Sequence, residues 1–329
     1  MTDLVADTSI SLNNDAVLLH LNGQEQDAIR MYERAIASDA KNASAHNNLG
    51  FLLAQAGDHE QAIEYYRTAL ELDPQRATAL ANLGASQAAL GDVPGGLELL
   101  EQAVAIDPES LTAWDNLGRL ALLAERFDTA ERAFREALGL DEPSAERLVA
   151  LGGLIATRGR LPEAHDLLAQ AVAIAPDSAQ AWSQLGVICF ARQDLGSATD
   201  ALETALRLDP DNLSARRHLV LTLMARGKSV AAEAHLRRLI EANPGDAGAL
   251  TDLALLHLNR DEGPAAIEIL ERANTADPDD ERCEYYLALA REIFAEGSAG
   301  REHLTAIADR NGTYAQKARN HLKARALRT

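Results

Sequence analysis

Along the chain, apolar and small side chains return at fixed places in a period of 34 residues, set off by glycine and proline. The segment Ala43 to Arg76, ASAHNNLGFLLAQAGDHEQAIEYYRTALELDPQR, is one such unit, counted with Ala43 as position 1. Position 20 holds Ala28, Ala62, Gly96, Ala130, Ala164, Ala198, Ala232, Ala266 and Gly300, so no copy carries a side chain larger than a methyl group there. Position 8 is nearly as strict, with Ala16, Gly50, Gly84, Gly118, Gly152, Gly186, Val220, Ala254 and Ala288. Small residues twelve apart, each flanked by apolar residues at helical spacing, predict two antiparallel helices per unit whose backbones approach closely. The Leu, Tyr and Phe side chains at positions 7 and 24 then fill the space beside that contact.

The helix ends are written in the same period. Position 34 is Thr8, Asn42, Ser110, Ser144, Ser178, Asn212, Asp246 and Asp280, each able to accept a hydrogen bond from the first amides of the helix that follows, with Arg76 the exception. Position 15 is Gly23, Gly57, Gly91, Gly159 and Gly227, which favours the left-handed conformation that ends a first helix. Prolines recur at Pro74, Pro108, Pro143, Pro176, Pro210, Pro244 and Pro278, with Pro143 alone out of step by one residue.

Within the unit, His46, Leu49, Gly50, Leu53, Ala62, Tyr66, Ala69 and Pro74 resemble the tetratricopeptide (TPR) pattern, and Trp114, Leu117, Gly118, Ala130, Phe134 and Ala137 repeat it. Trp182, Leu185, Gly186, Ala198, Ala205 and Pro210 do so again. The resemblance implies an all-α fold, a right-handed α-solenoid superhelix of stacked helix-turn-helix units. Residues 1–8 are expected as a short tail and residues 9–312 as the array, eight clear repeats and a degenerate ninth. Residues 313–329 are expected as a basic C-terminal capping helix, with Ala315, Ala318, Leu322 and Ala326 on its apolar stripe.

The resemblance also implies that positions 2, 5, 6, 9, 12 and 13 face a ligand in the concave groove of such arrays. Position 6 reads Asn14, Asn48, Asn82 and Asn116 in the first four repeats, then Ala150 and Gln184. Carboxamides one repeat apart can each donate to and accept from one peptide unit, and the row resembles the asparagine ladder in the TPR region of O-GlcNAc transferases. An equally good account is that asparagine is simply common at this position and bonds within its own helix pair. Position 9 beside them reads Val17, Phe51, Ala85 and Arg119, a mostly apolar strip for ligand side chains. The family's carboxylate clamp needs Lys and Arg at positions 2, 5 and 6, where the early repeats have Asn13, Ser44, Asn47, Thr78, Thr112 and Asp115. That mode is not expected.

Composition narrows the partner. The net charge of −19 argues against nucleic acid, whose affinity comes from Lys and Arg. No run of apolar residues is long enough to insert in a membrane, and the first residues lack the pattern of a signal peptide, so the expected location is the cytoplasm. Cys189 and Cys283 lie too far apart along a solenoid for a disulfide and are expected as buried thiols. No histidine or cysteine spacing suits a metal, no glycine-rich phosphate loop or nucleophile motif occurs, and His46 and His257 fall at packing positions, so neither cofactor nor catalysis is expected. Residues 1–110 carry 17 acidic and 5 basic side chains, against 2 and 7 over residues 301–329.

The sequence therefore predicts a non-catalytic scaffold that binds an extended polypeptide segment, with Asn14, Asn48, Asn82, Asn116, Val17, Phe51, Ala85, Arg119 and Gln184 lining the groove. Two alternatives stand beside it. One is an accessory module of an enzyme such as a glycosyltransferase. The other is a self-assembling scaffold, a homo-oligomer whose basic helix, with Lys317, Arg319, Lys323 and Arg325, engages the acidic body of a second copy.

Overall fold

The structure is a computed structural model and describes residues 2–295 and 298–326. All regular elements among them are helices. The chain falls into two compact units, Met1–Ile174 and Ala175–Thr329. The first contains α1 (Thr2–Leu21), α2 (Glu25–Ser38), α3 (Ala43–Gln55), α4 (His59–Leu72), α5 (Ala77–Ala89), α6 (Val93–Ile106), α7 (Leu111–Leu123), α8 (Phe127–Leu140), α9 (Ala145–Thr157) and α10 (Leu161–Ile174). The second contains α11 (Ala179–Ala191), α12 (Leu195–Leu208), α13 (Leu213–Ala225), α14 (Ser229–Ala242), α15 (Ala247–Leu258), α16 (Gly263–Ala276), α17 (Glu281–Phe294), α18 (Ala299–Ala308) and α19 (Thr313–Ala326).

Each odd-numbered helix from α1 to α17 pairs with the even-numbered helix after it, and within each unit the pairs stack on their neighbours. The small-residue rule explains the pairing. Position 20 is fully buried in the alanine repeats, and position 24, which holds Tyr32, Tyr66, Leu100, Phe134, Leu168, Leu202, Leu236, Leu270 and Leu304, is buried in every repeat. A Cβ placed on Gly50, Gly118, Gly152 or Gly186 would meet the position 24 side chain of the same repeat at 2.6 to 2.9 Å. In the third repeat both small positions are glycine, and a Cβ on Gly84 would sit 2.8 Å from the carbonyl oxygen of Gly96.

Caps and turns follow the period. Asn42, Ser110, Ser144, Ser178, Asn212, Asp246 and Asp280 each accept a backbone N–H in the first turn of the next helix, and Arg76 makes no such bond. The five predicted glycines all have φ between 70° and 96°. In three of the four repeats where position 15 is not glycine the chain still turns the same way, with Glu125 at φ 56°, Gln193 at 65° and Asp261 at 60°, whereas Ala295 of the ninth repeat is extended at φ −97°. The backbone geometry is therefore set by the helix pairing, and glycine is the residue that adopts it without strain.

One boundary differs from expectation. The proposed tail over residues 1–8 is helical from Thr2, and Thr8 lies inside α1 instead of capping it. No glycine or proline interrupts residues 2–21. Ser9 also locks this stretch in place, donating to Ala35 O at 2.7 Å and accepting from Asn42 Nδ2 at 3.0 Å.

In the second unit, α19 packs on α17 and α18. Ala315 and Ala318 are buried, Leu322 is half-buried and Ala326 is exposed. Tyr314 completes an aromatic cluster with Tyr285 and Tyr286, at centroid distances of 5.6 and 6.4 Å. Residues 327–329 of the expected helix lie outside the described residues.

Candidate functional site

In the first unit the first helices touch across repeats, α1 with α3, α3 with α5 and α5 with α7, so positions 5, 6 and 9 of successive repeats lie side by side. The asparagines there are joined. Asn13 Nδ2 donates to Asn14 Oδ1 (3.5 Å), Asn48 Nδ2 to Asn13 Oδ1 (3.1 Å), Asn47 Nδ2 to Asn48 Oδ1 (3.2 Å) and Asn82 Nδ2 to Asn47 Oδ1 (3.2 Å). Five carboxamides thus form one head-to-tail chain over three repeats, with Asn13 and Asn47 buried and Asn48 and Asn82 half-buried. A carboxamide has two N–H donors and two acceptor lone pairs, and a member inside the chain uses one of each. Among the described residues Asn48, inside the chain, therefore keeps one N–H and one lone pair, and Asn82, at its end, keeps one N–H and both lone pairs. The row is both an inter-repeat bond and an open polar edge, and the bonding partners Asn13 and Asn47 were not singled out from the sequence.

Asn116 continues the row differently, accepting from Arg119 Nη2 at 3.1 Å. Val17 is half-buried, and Phe51 is exposed with its ring 5.9 Å from that of His20. Ala85, Asn116 and Arg119 come together around a pocket of about 200 Å³ whose other walls are Ala88, Leu100, Leu120 and Leu123. Two of the lining residues, Ala85 and Arg119, stand at position 9 of successive repeats. Leu100 of α6 is fully buried, while Leu123 is 72% exposed.

Beyond this point the row becomes charged. Asp115 meets Arg147 of the next repeat at 3.0 Å. In the second unit, Arg217 meets Asp246 at 2.7 Å and Arg282 pairs with Asp252. Burial alone would raise the Asp246 carboxyl, but Arg217 and the Ala249 amide hold it below the usual range. Gln184 is half-buried on α11 in this second unit.

Other candidate chemistry is accounted for by the fold. The ring nitrogen of His46 meets Ala40 O at 3.1 Å, and the indoles of Trp114 and Trp182 donate to Pro108 O (2.8 Å) and Pro176 O (2.9 Å). Position 4 thus satisfies the carbonyl at position 32 of the preceding repeat. Cys189 and Cys283 are buried free thiols. On the second helices Glu131 and Glu163 are bound by Arg135 and Arg160, a cluster that neutralises itself. Of the cations proposed to dock on a second copy, Arg319 donates to Ala308 O and Arg310 O, and Arg325 pairs with Glu292 at 2.6 Å, so both hold the cap in place. Among the described residues no His, Cys, Asp or Glu cluster is placed to hold a metal, and no helix is long and apolar enough to cross a membrane.

Helix pairs of this kind, small at positions 8 and 20 and stacked at a 34-residue pitch, are those of tetratricopeptide repeats, and the chain is a tetratricopeptide repeat protein. Such repeats generally mediate protein–protein interaction. Tetratricopeptide repeat models match residues 17–57, 43–76, 81–146 and 121–188, and the TPR domain of cytochrome c-type biogenesis protein H matches residues 167–283. Among solved structures, YrrB, described as a TPR protein with an unusual peptide-binding site, is 26% identical with a TM-score of 0.51, over 56% of this chain and 95% of that one. PilF of Pseudomonas aeruginosa is 20% identical with a TM-score of 0.58, over 65% of this chain and 96% of that one. Cut9 with Hcn1, of the APC/C, gives 18% and 0.55, over 85% of this chain and 55% of that one. No curated protein matches the sequence.

Proposed function

We propose that the first-helix face of α1, α3, α5 and α7 binds an extended segment of a partner polypeptide, in a protein that acts as a non-catalytic interaction scaffold. The observation that carries this reading is the carboxamide chain, whose half-buried members Asn48 and Asn82 offer a donor and an acceptor at each repeat. A peptide backbone presents the complementary pair at every residue, so an amide row holds an extended chain without regard to its side chains. The apolar positions Val17, Phe51 and Ala85 lie beside the amides for those side chains. The likeness to YrrB, whose description names a peptide-binding site, supports the same reading.

Each backbone hydrogen bond contributes about 0.5 to 1.5 kcal/mol net, so the row gives moderate affinity. The test is partner capture by the wild type and by Asn48→Ala/Asn82→Ala. The double variant is expected to lose about tenfold in affinity while keeping its helical circular dichroism spectrum. Undiminished capture by a folded variant would reduce these asparagines to bonds of the stack alone.

A further inference from the structure

The pocket between α5 and α7 gives the partner a chemical signature. This inference rests on the reading above that an extended polypeptide lies on the first-helix face. The pocket has an apolar floor and walls, Leu100, Ala88, Leu120 and Leu123, and a polar mouth formed by Asn116 and Arg119. At about 200 Å³ it is smaller than a site for a drug-sized molecule and suits one branched or aromatic side chain. Leu123 stands 72% exposed at its edge, apolar surface that a ligand side chain would cover.

Arg119 is the only Lys or Arg at positions 2, 5, 6, 9, 12 and 13 of the first four repeats. Among the described residues its guanidinium bonds Asn116 Oδ1 and meets no carboxylate, whereas Arg147 next to it along the row is paired with Asp115. A planar fork of donors with its charge uncompensated, at the mouth of an apolar pocket, is complementary to a carboxylate carried beside an apolar side chain. The surroundings sharpen this. Residues 1–110 hold 17 acidic side chains against 5 basic ones, so a generally acidic ligand is repelled and a single acid is favoured only opposite Arg119.

Phe51, exposed, and His20, half-buried, form the next ring pair along the row. Phe51 is on α3, one helix from α5 and two from α7. Neighbouring helices pack about 8 to 10 Å apart, and an extended chain advances about 3.3 Å per residue, so about three to six residues bridge the two places.

We propose that the partner segment is extended and not acidic overall, that it carries an apolar anchor residue in the pocket lined by Ala85, Leu100 and Leu123, with one carboxylate adjacent to it against Arg119, and that a second apolar residue a few positions away packs on Phe51 and His20.

The test is to pan a phage-displayed library of short random segments against the full chain. Enriched sequences are then measured as synthetic peptides, by fluorescence anisotropy, on the wild type, Ala85→Leu, Arg119→Gln and Asn48→Ala/Asn82→Ala. The expected peptides pair an apolar residue with Asp or Glu. They lose about tenfold or more in affinity on Ala85→Leu, which fills the pocket, and on Arg119→Gln they cease to prefer Glu over Gln. Arg119 is exposed, so its substitution tests the assignment even where Ala85→Leu disturbs packing. Peptides weakened by the asparagine variant but indifferent to Ala85→Leu and Arg119→Gln would overturn the anchor assignment and leave the groove reading standing. Peptides indifferent to all three variants, or a library without binders, would count against both.

Discussion

Gly118 faces the ring of Phe134, whose Cε1 would lie 2.7 Å from an added Cβ, so the site has no room for any side chain. Gly118→Leu is expected to cost about 1 to 3 kcal/mol in urea unfolding, the usual penalty for overpacking. Gly139 in α8 has nothing within 4 Å of an added Cβ and a helical backbone, so Gly139→Ala is expected to stabilise by about 0.4 to 1 kcal/mol. The close contact was legible because a small residue at position 8 and a large one at position 24 recur together. The asparagine chain was only half legible. The sequence placed Asn14, Asn48 and Asn82 on one face, but the bond of Asn48 to Asn13, and of Asn82 to Asn47, depends on how far apart successive first helices stand. Adjacent Asn-Asn pairs at Asn13 and Asn14, and at Asn47 and Asn48, were the available signal.

Turns and termini set the next level. Glu125 adopts the left-handed conformation that glycine supplies in five other repeats. For a side chain this costs about 1 to 2 kcal/mol, whereas glycine's extra freedom in the unfolded chain costs about 0.5 to 1 kcal/mol. Glu125→Gly should therefore raise stability by up to about 1 kcal/mol, read from the thermal midpoint. In the last pair, Glu284 of α17 binds Arg310 at 2.7 Å and His303 of α18 at 2.9 Å. Burial would raise the Glu284 carboxyl, but these two partners hold it below its ordinary value. A depressed folded value means the stabilisation is present above the unfolded value of 4.5 and is lost as pH falls through the lower folded one. Amide exchange in α18 is expected to speed up across that acid window beyond its ordinary pH trend, and Glu284→Gln should remove the extra acceleration. The helices were legible as elements, yet the start of α1 was not. Thr8 has the residue type of a cap, but no glycine or proline interrupts residues 2–21 and the helix runs through it.

Taken as a whole molecule, the protein carries a charge of −19, but the proposed binding row is uncharged from Asn14 to Asn82 and bears one uncompensated cation, Arg119. The corresponding rows of the second unit are occupied by the pairs of Arg217 with Asp246 and Arg282 with Asp252. Repeat number, pairing and caps could be read from the 34-residue period because every copy states them again. The pocket could not, because its lining includes position 9 residues, Ala85 and Arg119, at a place in the repeat that the period leaves free to vary. The most direct test places a photoreactive side chain at Ala89, exposed on α5 beside the row, or at Arg67, exposed on the second helix α4. Irradiated in the cells that make the protein, the Ala89 probe should join to a partner segment, the Arg67 probe should not, and Asn48→Ala/Asn82→Ala should lower the yield of the product. Equal yields from both places, or a product from Arg67 alone, would contradict the account.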